Sequence, residues 1–252
     1  KNMQNLSYSC NKRKLHPQLQ RVWEGQEYSR EAETFKNRKS PFYGLKFICF
    51  VLLSVVGVKH YNIMGMLWYE TYLLNKKNVH NILRGKKRKK LLDIGAWNGC
   101  ISQQLSSFVD EIYFIEPSLS FQKILNKKWY REHQGNTYDI ITLFNVLDVC
   151  DSPDETIQSA LKHLEKNGEI IISLPFPIKA RSWDNRKITK TNLLTQSGEK
   201  TFEEAVSDFY RDFIEKNGLK IEYFTRLPYI VSLPETQKTT VYDNGLFVCS
   251  KA

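Results

Sequence analysis

The apolar segment Leu91-Leu92-Asp93-Ile94 runs directly into Gly95-Ala96-Trp97-Asn98-Gly99, and a second apolar segment, Ile112 to Ile115, stops at Glu116 and Pro117. This stretch constrains the fold more than any other. It spells a strand, a glycine-bearing turn, a helix-length segment and a second strand ending in a carboxylate. Glycine has no Cβ, so the backbone of such a turn can approach a ligand closely and adopt positive φ. The following helix start offers free N–H groups. An acid at the tip of the second strand, 17 residues after Gly99, stands where it can accept both hydroxyls of a ribose.

A dinucleotide site would need a third glycine placed for the pyrophosphate, and nothing here reads G-x-G-x-x-G. The Asp-x-Gly opening resembles motif I of S-adenosylmethionine-dependent methyltransferases instead. There the motif lines the methionine end of the cofactor, and no phosphate has to be cradled. Trp97 departs from the pattern, since many methyltransferases have glycine at that place.

Composition sets looser bounds. The chain of 252 residues has a hydrophobic content of 41%, which reads as globular, and room for one α/β domain with an N-terminal extension. A net charge of +10 favours an acidic partner, a membrane surface or nucleic acid without choosing among them. The densest basic run, Lys86 to Lys90, reads first as a solvated loop, with a nuclear-type signal or polyanion contact as the alternative. Five cysteines without a C-x-x-C pair fit a reduced compartment better than a disulfide framework. The expected location is intracellular, cytoplasmic or endomembrane-associated. The histidines are isolated from one another, so no metal is expected.

Residues 1–41 read as a polar extension with apolar residues too sparse for a core, from which Trp23, Tyr28 and Phe35 can dock. Residues 42–85 read as a helical cap. Its apolar run Leu45 to Val58 is too short for a span of about 20 residues, and buried helices over the sheet edge are expected. Association with a membrane is the alternative. Met66 to Leu83 has helical periodicity through Leu67, Tyr69, Leu73, Leu74, Val79 and Leu83.

Residues 86–252 carry the strand–helix rhythm. Strands are expected at Lys90–Ile94, Glu111–Ile115, Glu169–Leu174, Leu219–Thr225 and Leu246–Ser250, and Tyr138 to Asp148 reads as a further strand and its exit. The stretch Lys127 to Thr137, where a third strand belongs, is degenerate. Helices are expected at about Gly99–Phe108 and Leu119–Leu125. Ser152 with Glu155, and Thr201 with Glu204, have capping-box spacing before two further helices. Pro175 to Glu199 is a long polar connection. The expected fold is α/β and Rossmann-like, of the class I methyltransferase type. Its sheet is mostly parallel and seven-stranded, with helices on both faces and an N-terminal helical extension.

Three stretches carry a closer likeness. Asn145-Val146-Leu147-Asp148-x-Cys150-Asp151-x-Pro153, Leu174-Pro175-Phe176 and Phe224-Thr225-Arg226-Leu227-Pro228-Tyr229 together resemble the DREV family, the methyltransferase-like-nine group of protein histidine N-methyltransferases. The resemblance implies methyl transfer from S-adenosylmethionine to the imidazole nitrogen nearest the side-chain root, in His-x-His motifs with a small middle residue. By the same resemblance Asp93, Gly95, Ala96, Gly99, Glu116, Pro117 and Asn145 hold the cofactor. Asn145, Asp148, Pro175, Phe176, Arg226 and Tyr229 face the substrate. Asp148, Asn145 and Tyr229 are the catalytic set, with Asp148 orienting the ring and stabilising the imidazolium. Thr239-Thr240 stands where the family tends to have an aromatic residue.

The partners so implied are His-x-His proteins met by a monomer, with no nucleic acid and no metal. Two other functions compete with this one. A nucleic-acid or small-molecule methyltransferase is supported by charge alone, and no Asn/Asp-Pro-Pro-Tyr-type motif follows the fourth strand. A non-catalytic cofactor-binding module is suggested by Trp97 and the degenerate third strand.

Overall fold

The computed structural model describes residues 8–26, 29–37, 43–58, 63, 70–179, 198–232 and 239–252. Its strands are β1 (Glu70–Tyr72), β2 (Arg88–Ile94), β3 (Val109–Ile115), β4 (Arg131–Glu132), β5 (Tyr138–Phe144), β6 (Leu164–Pro175), β7 (Leu219–Ser232) and β8 (Thr239–Lys251). They form one sheet in the order β4-β3-β2-β5-β6-β8-β7-β1. Neighbours among β2 to β6 pair in parallel, and β8, β7 and β1 add antiparallel. From β2 the chain moves outward to β3 and β4. From β5 it moves to the other side, so the crevice between β2 and β5 is the topological switch point, where open α/β sheets bind ligands.

The central strands are apolar at consecutive positions because both sheet faces are covered. Leu92, Ile141 and Ile170 enter one core, while Leu91, Ile140 and Ile171 enter the other. The helices are α1 (Pro17–Val22), α2 (Arg30–Asn37), α3 (Tyr43–Val55), α4 (Lys76–Ile82), α5 (Leu119–Lys127), α6 (Pro153–Lys162) and α7 (Phe202–Phe209). Ile157 of α6 and Phe209 of α7 seal the first face, and Val79 of α4 and Phe121 of α5 the second. The Thr201–Glu204 capping box opens α7 as expected, and the helix runs on as a π-helical turn, Tyr210–Glu215.

Several expectations need correction. The sheet has eight strands, not seven. The extra one, β1, lies inside the stretch read as a helix from Met66; residues 66–69 of that stretch fall outside the described part. Thr71 and Tyr72 pair with Val231 and Ile230, and Asn75 then caps α4 in a reciprocal box with Asn78. The third parallel strand is present as two residues, Arg131 and Glu132, paired with Tyr113 and Phe114.

In place of a helix over Gly99–Phe108 stands a single 3-10 turn, Ser102–Leu105. Gly99 stands at φ +72°, in the left-handed region that no right-handed helix contains, and Ser102, Ser106 and Ser107 are poor helix formers, so only a short turn forms before Phe108. Ser152 precedes α6 without a side-chain cap bond, while Pro153 does occupy the first turn. Strands β6, β7 and β8 exceed their expected bounds, because β7 and β8 pair with each other from Leu219↔Lys251 to Ser232↔Thr239.

The run from Leu45 is helical but not buried: most of the large apolar side chains of α3 are exposed. The polar N-terminal segment, by contrast, contributes Leu15 and Leu19 to the first core. It is held mainly by backbone groups along β7 and α7. Trp23 bridges to Phe224, Glu24 N–H donates to the Phe224 carbonyl (2.9 Å), and the Thr225 hydroxyl donates to the Glu24 carbonyl (2.6 Å). Asn11 N–H donates to Glu203 (2.7 Å) and His16 N–H to Ser207 (2.9 Å). Trp23 packs on Phe224 and Phe35 on Tyr72; Tyr28, and residues 180–197 of the polar connection, fall outside the described part.

Candidate active site

A cavity of about 390 Å³ opens at the switch point, a volume suited to one small ligand. Its wall is built from strand ends: Ile94 and Gly95 after β2, Ile115, Glu116 and Pro117 after β3, and Phe144, Asn145 and Val146 after β5. Thr71 of β1 and Tyr229 of β7 close the far side.

Gly95 stands at φ +71°, and a Cβ there would lie 2.6 Å from Cγ2 of Val146. Only glycine lets the β2 turn come this close to the β5 exit. Glu116 turns one carboxylate oxygen to the Trp97 N–H and the other to the Ser118 N–H, each at 2.8 Å. The remaining lone pairs can still accept. Burial pushes the Glu116 carboxyl up to about 7 against the pull of those two amides, and nearby Asp93 adds to the rise. Trp97 adopts φ +56°, the left-handed region that glycine would occupy without strain. Its ring packs on Phe121 with centroids 4.4 Å apart.

Asn145 also has positive φ, +57°. Its backbone N–H donates to the Ser173 carbonyl (2.9 Å), and its Oδ1 accepts from Nδ2 of the fully buried Asn244 (2.5 Å). The Asn145 Nδ2 is buried without a hydrogen-bond partner, which leaves it as a donor for a ligand.

Five of the residues singled out in the sequence thus share the cavity wall: Gly95, Glu116, Pro117, Asn145 and Tyr229. The others lie behind it or away from it. Asp93 is buried beneath the turn, accepting the Thr142 hydroxyl at 2.7 Å. Burial lifts its carboxyl to about 6, opposed by bonds from Ser102 and Thr142. Ala96 packs with Phe114, Leu125 and Tyr130, and the Gly99 carbonyl accepts from the Tyr130 hydroxyl (2.9 Å).

Asp148 is 2% exposed and is not on the cavity wall. Pro175 ends β6 opposite Asn244, and Phe176 is a core residue against Phe202, Phe209 and Phe247. Arg226 turns to the N-terminal segment: it donates to the Ser9 carbonyl (2.9 Å), pairs with Asp243 (2.9 Å) and lies over the Phe202 ring (4.3 Å).

Thr71, Thr156 and Asn244 are not marked by the sequence, and Cys150, part of the string that begins at Asn145, joins them at the site without a role foreseen for it. Thr71 sits on a three-residue strand whose partner lies far along the chain. Asn244 is joined to Asn145 only by the β6–β8 pairing, and no local pattern marks it. Among the described residues no group of three His, Cys, Asp or Glu could hold a metal ion.

This cavity fits S-adenosylmethionine: a glycine turn that any Cβ would block, a carboxylate on the wall after β3, and no phosphate cradle. Solved structures similar to this chain include an S-adenosylmethionine-dependent methyltransferase from Clostridium acetobutylicum ATCC 824, at 9% identity over 71% of this chain and 93% of that one, TM-score 0.46. A type 11 methyltransferase from Sulfolobus solfataricus is similar at 16% identity, covering 70% and 90%, TM-score 0.44. So is the N-methyltransferase NodS from Bradyrhizobium japonicum WM9, solved with S-adenosyl-l-homocysteine, at 11% identity, covering 70% and 85%, TM-score 0.44. The sequence itself matches the DREV methyltransferase family over residues 8–251. That span takes in the N-terminal segment, the switch-point cavity and the terminal strand pair, and the chain belongs to the DREV methyltransferase family of S-adenosylmethionine-dependent enzymes.

Proposed function

We propose that this methyltransferase modifies the Nπ nitrogen of histidine in His-x-His motifs of protein substrates, giving 1-methylhistidine. The observation that carries the reading is Asn145: a positive-φ residue at the β5 exit, locked by Asn244, with a buried amide donor left over at the cavity wall. Asp148 follows three residues later in the string Asn145-Val146-Leu147-Asp148, where base-modifying enzymes carry a different motif. That string and Phe224 to Tyr229 support the choice of substrate.

When bound, the cofactor supplies a methyl group on a sulfonium, open to in-line attack; the protein's own contribution is alignment. Gly95, Glu116 and Pro117 form its wall of the cavity. The attacking imidazole nitrogen needs a free lone pair, so the other ring nitrogen must carry the proton. Asp148 accepts that N–H and thereby fixes tautomer and ring orientation. Asp148 lies behind the wall, and catalytic hydrogen bonds commonly tighten only with substrate present. The same carboxylate offsets the positive charge that develops on the ring. Asn145 positions the ring or its backbone, and Tyr229 closes the opposite wall.

The test is incubation of a His-Ala-His peptide with the enzyme and S-adenosylmethionine, followed by mass spectrometry and amino-acid analysis. One added methyl, recovered as 1-methylhistidine and lost in Asp148→Ala, is the expected result. Intact S-adenosylhomocysteine binding without peptide methylation overturns the histidine reading.

A further inference from the structure

We propose that α3 is a membrane-contact element that seats in the headgroup region of an anionic lipid surface. Leu45, Ile48, Leu52 and Val55 are 62%, 55%, 61% and 80% exposed. Isolated exposed apolar residues are ordinary, but a contiguous set on one element marks a contact surface. Phe50 packs against the second core, so the helix is attached to the domain along one edge and presents the rest outward. The Ser54 hydroxyl donates to the Phe50 carbonyl at 2.8 Å, which satisfies it inside the helix as an apolar surrounding requires.

Length and charge choose the occupant. Thirteen residues make a helix about 20 Å long, too short for a hydrocarbon core of about 30 Å, and no helix among the described residues is long and apolar enough to cross a membrane. Such a helix can enter one leaflet or lie at its boundary. Between Glu33 and Glu70 the sequence has no Asp or Glu, while Lys36, Arg38, Lys39, Lys46 and Lys59 are all basic. Basic residues flanking an apolar element are attracted to anionic headgroups. A second copy of the chain would instead bring two positive segments together, which disfavours a dimer through α3. The contact places the catalytic domain at a lipid surface, whatever the methyl acceptor.

The test is co-sedimentation of the full chain with phosphatidylcholine vesicles made with and without phosphatidylserine. Expected are binding to the phosphatidylserine vesicles, weaker binding to the neutral ones, and a loss of about tenfold or more in the quadruple variant Leu45→Ser, Ile48→Ser, Leu52→Ser, Val55→Ser. These side chains are exposed, so the variant keeps its thermal midpoint and its S-adenosylhomocysteine binding. Lys46→Glu lowers the preference for phosphatidylserine while leaving neutral binding in place. Absence of vesicle binding, or binding unchanged in the quadruple variant, overturns the proposal. So does a dimer, seen by light scattering, that the quadruple variant abolishes while vesicles fail to bind.

Discussion

Replacing Gly95 by alanine tests the close approach on which the cavity depends. Two penalties arise. The residue stands at φ +71°, and an L side chain in the left-handed region costs about 1–2 kcal/mol. The new methyl would also lie 2.6 Å from Val146 Cγ2, roughly 1 Å inside the ordinary carbon–carbon contact distance; overpacking of this kind costs about 1–3 kcal/mol. Together they remove about 2–5 kcal/mol from a domain whose net stability is on the order of 5–15 kcal/mol. The two parts separate experimentally. Gly218 has φ +69° with nothing within 4 Å of a built Cβ, so Gly218→Ala reports the backbone penalty alone. Val146→Ala removes both Cγ atoms and leaves its Cβ at 3.7 Å, an ordinary contact. Gly95→Ala with Val146→Ala is therefore expected to be about 1–3 kcal/mol more stable than the sum of the single changes. Urea denaturation with unchanged slope measures each variant. Additivity within about 0.5 kcal/mol would show that the turn and the β5 exit do not meet as described.

Two carboxyls predict a pH dependence opposite to that of ordinary surface acids. Asp93 and Glu116 are raised to about 6 and about 7, so the folded state holds their protons above the unfolded values near 4. Their stabilisation is full below pH 4 and is lost as pH rises to about 7, by roughly 3 kcal/mol each at most. Urea midpoints measured from pH 4.5 to 7.5 in wild type and Glu116→Gln read this. The variant should show the shallower fall, and identical profiles would contradict it. Arg226→Ala removes the Ser9 bond, the Asp243 pair and the Phe202 contact together, an expected loss of about 2–3 kcal/mol. It should also expose residues 8–26 to limited proteolysis. Arg226→Lys should restore little, because a point charge cannot reproduce the planar fork; wild-type protease resistance in Arg226→Ala would refute this anchoring of the N-terminal segment, residues 8–26.

What the sequence made legible is what physics writes locally. Strands buried on both faces are apolar at nearly every position, with the buried polar pair Asp93 and Thr142 satisfying each other, so Leu91–Ile94, Ile112–Ile115 and Ile140–Phe144 stand out unaided, and the glycine turn and strand-end acid mark the switch point between them. Features made by distant pairing left no such trace. β1 is three residues long and exists because β7 offers it an edge; the helical spacing around it is genuine but loses to that pairing. The N-terminal segment looks too polar for a domain because much of its attachment runs through backbone groups, which any sequence possesses. The string Phe224-Thr225-Arg226-Leu227-Pro228-Tyr229 shows why a family likeness could be seen where periodicity failed. Phe224 carries Trp23, Thr225 binds the Glu24 carbonyl, Arg226 binds the Ser9 carbonyl, and Tyr229 reaches the cavity. One strand therefore fastens the N-terminal segment on one side and closes the site on the other.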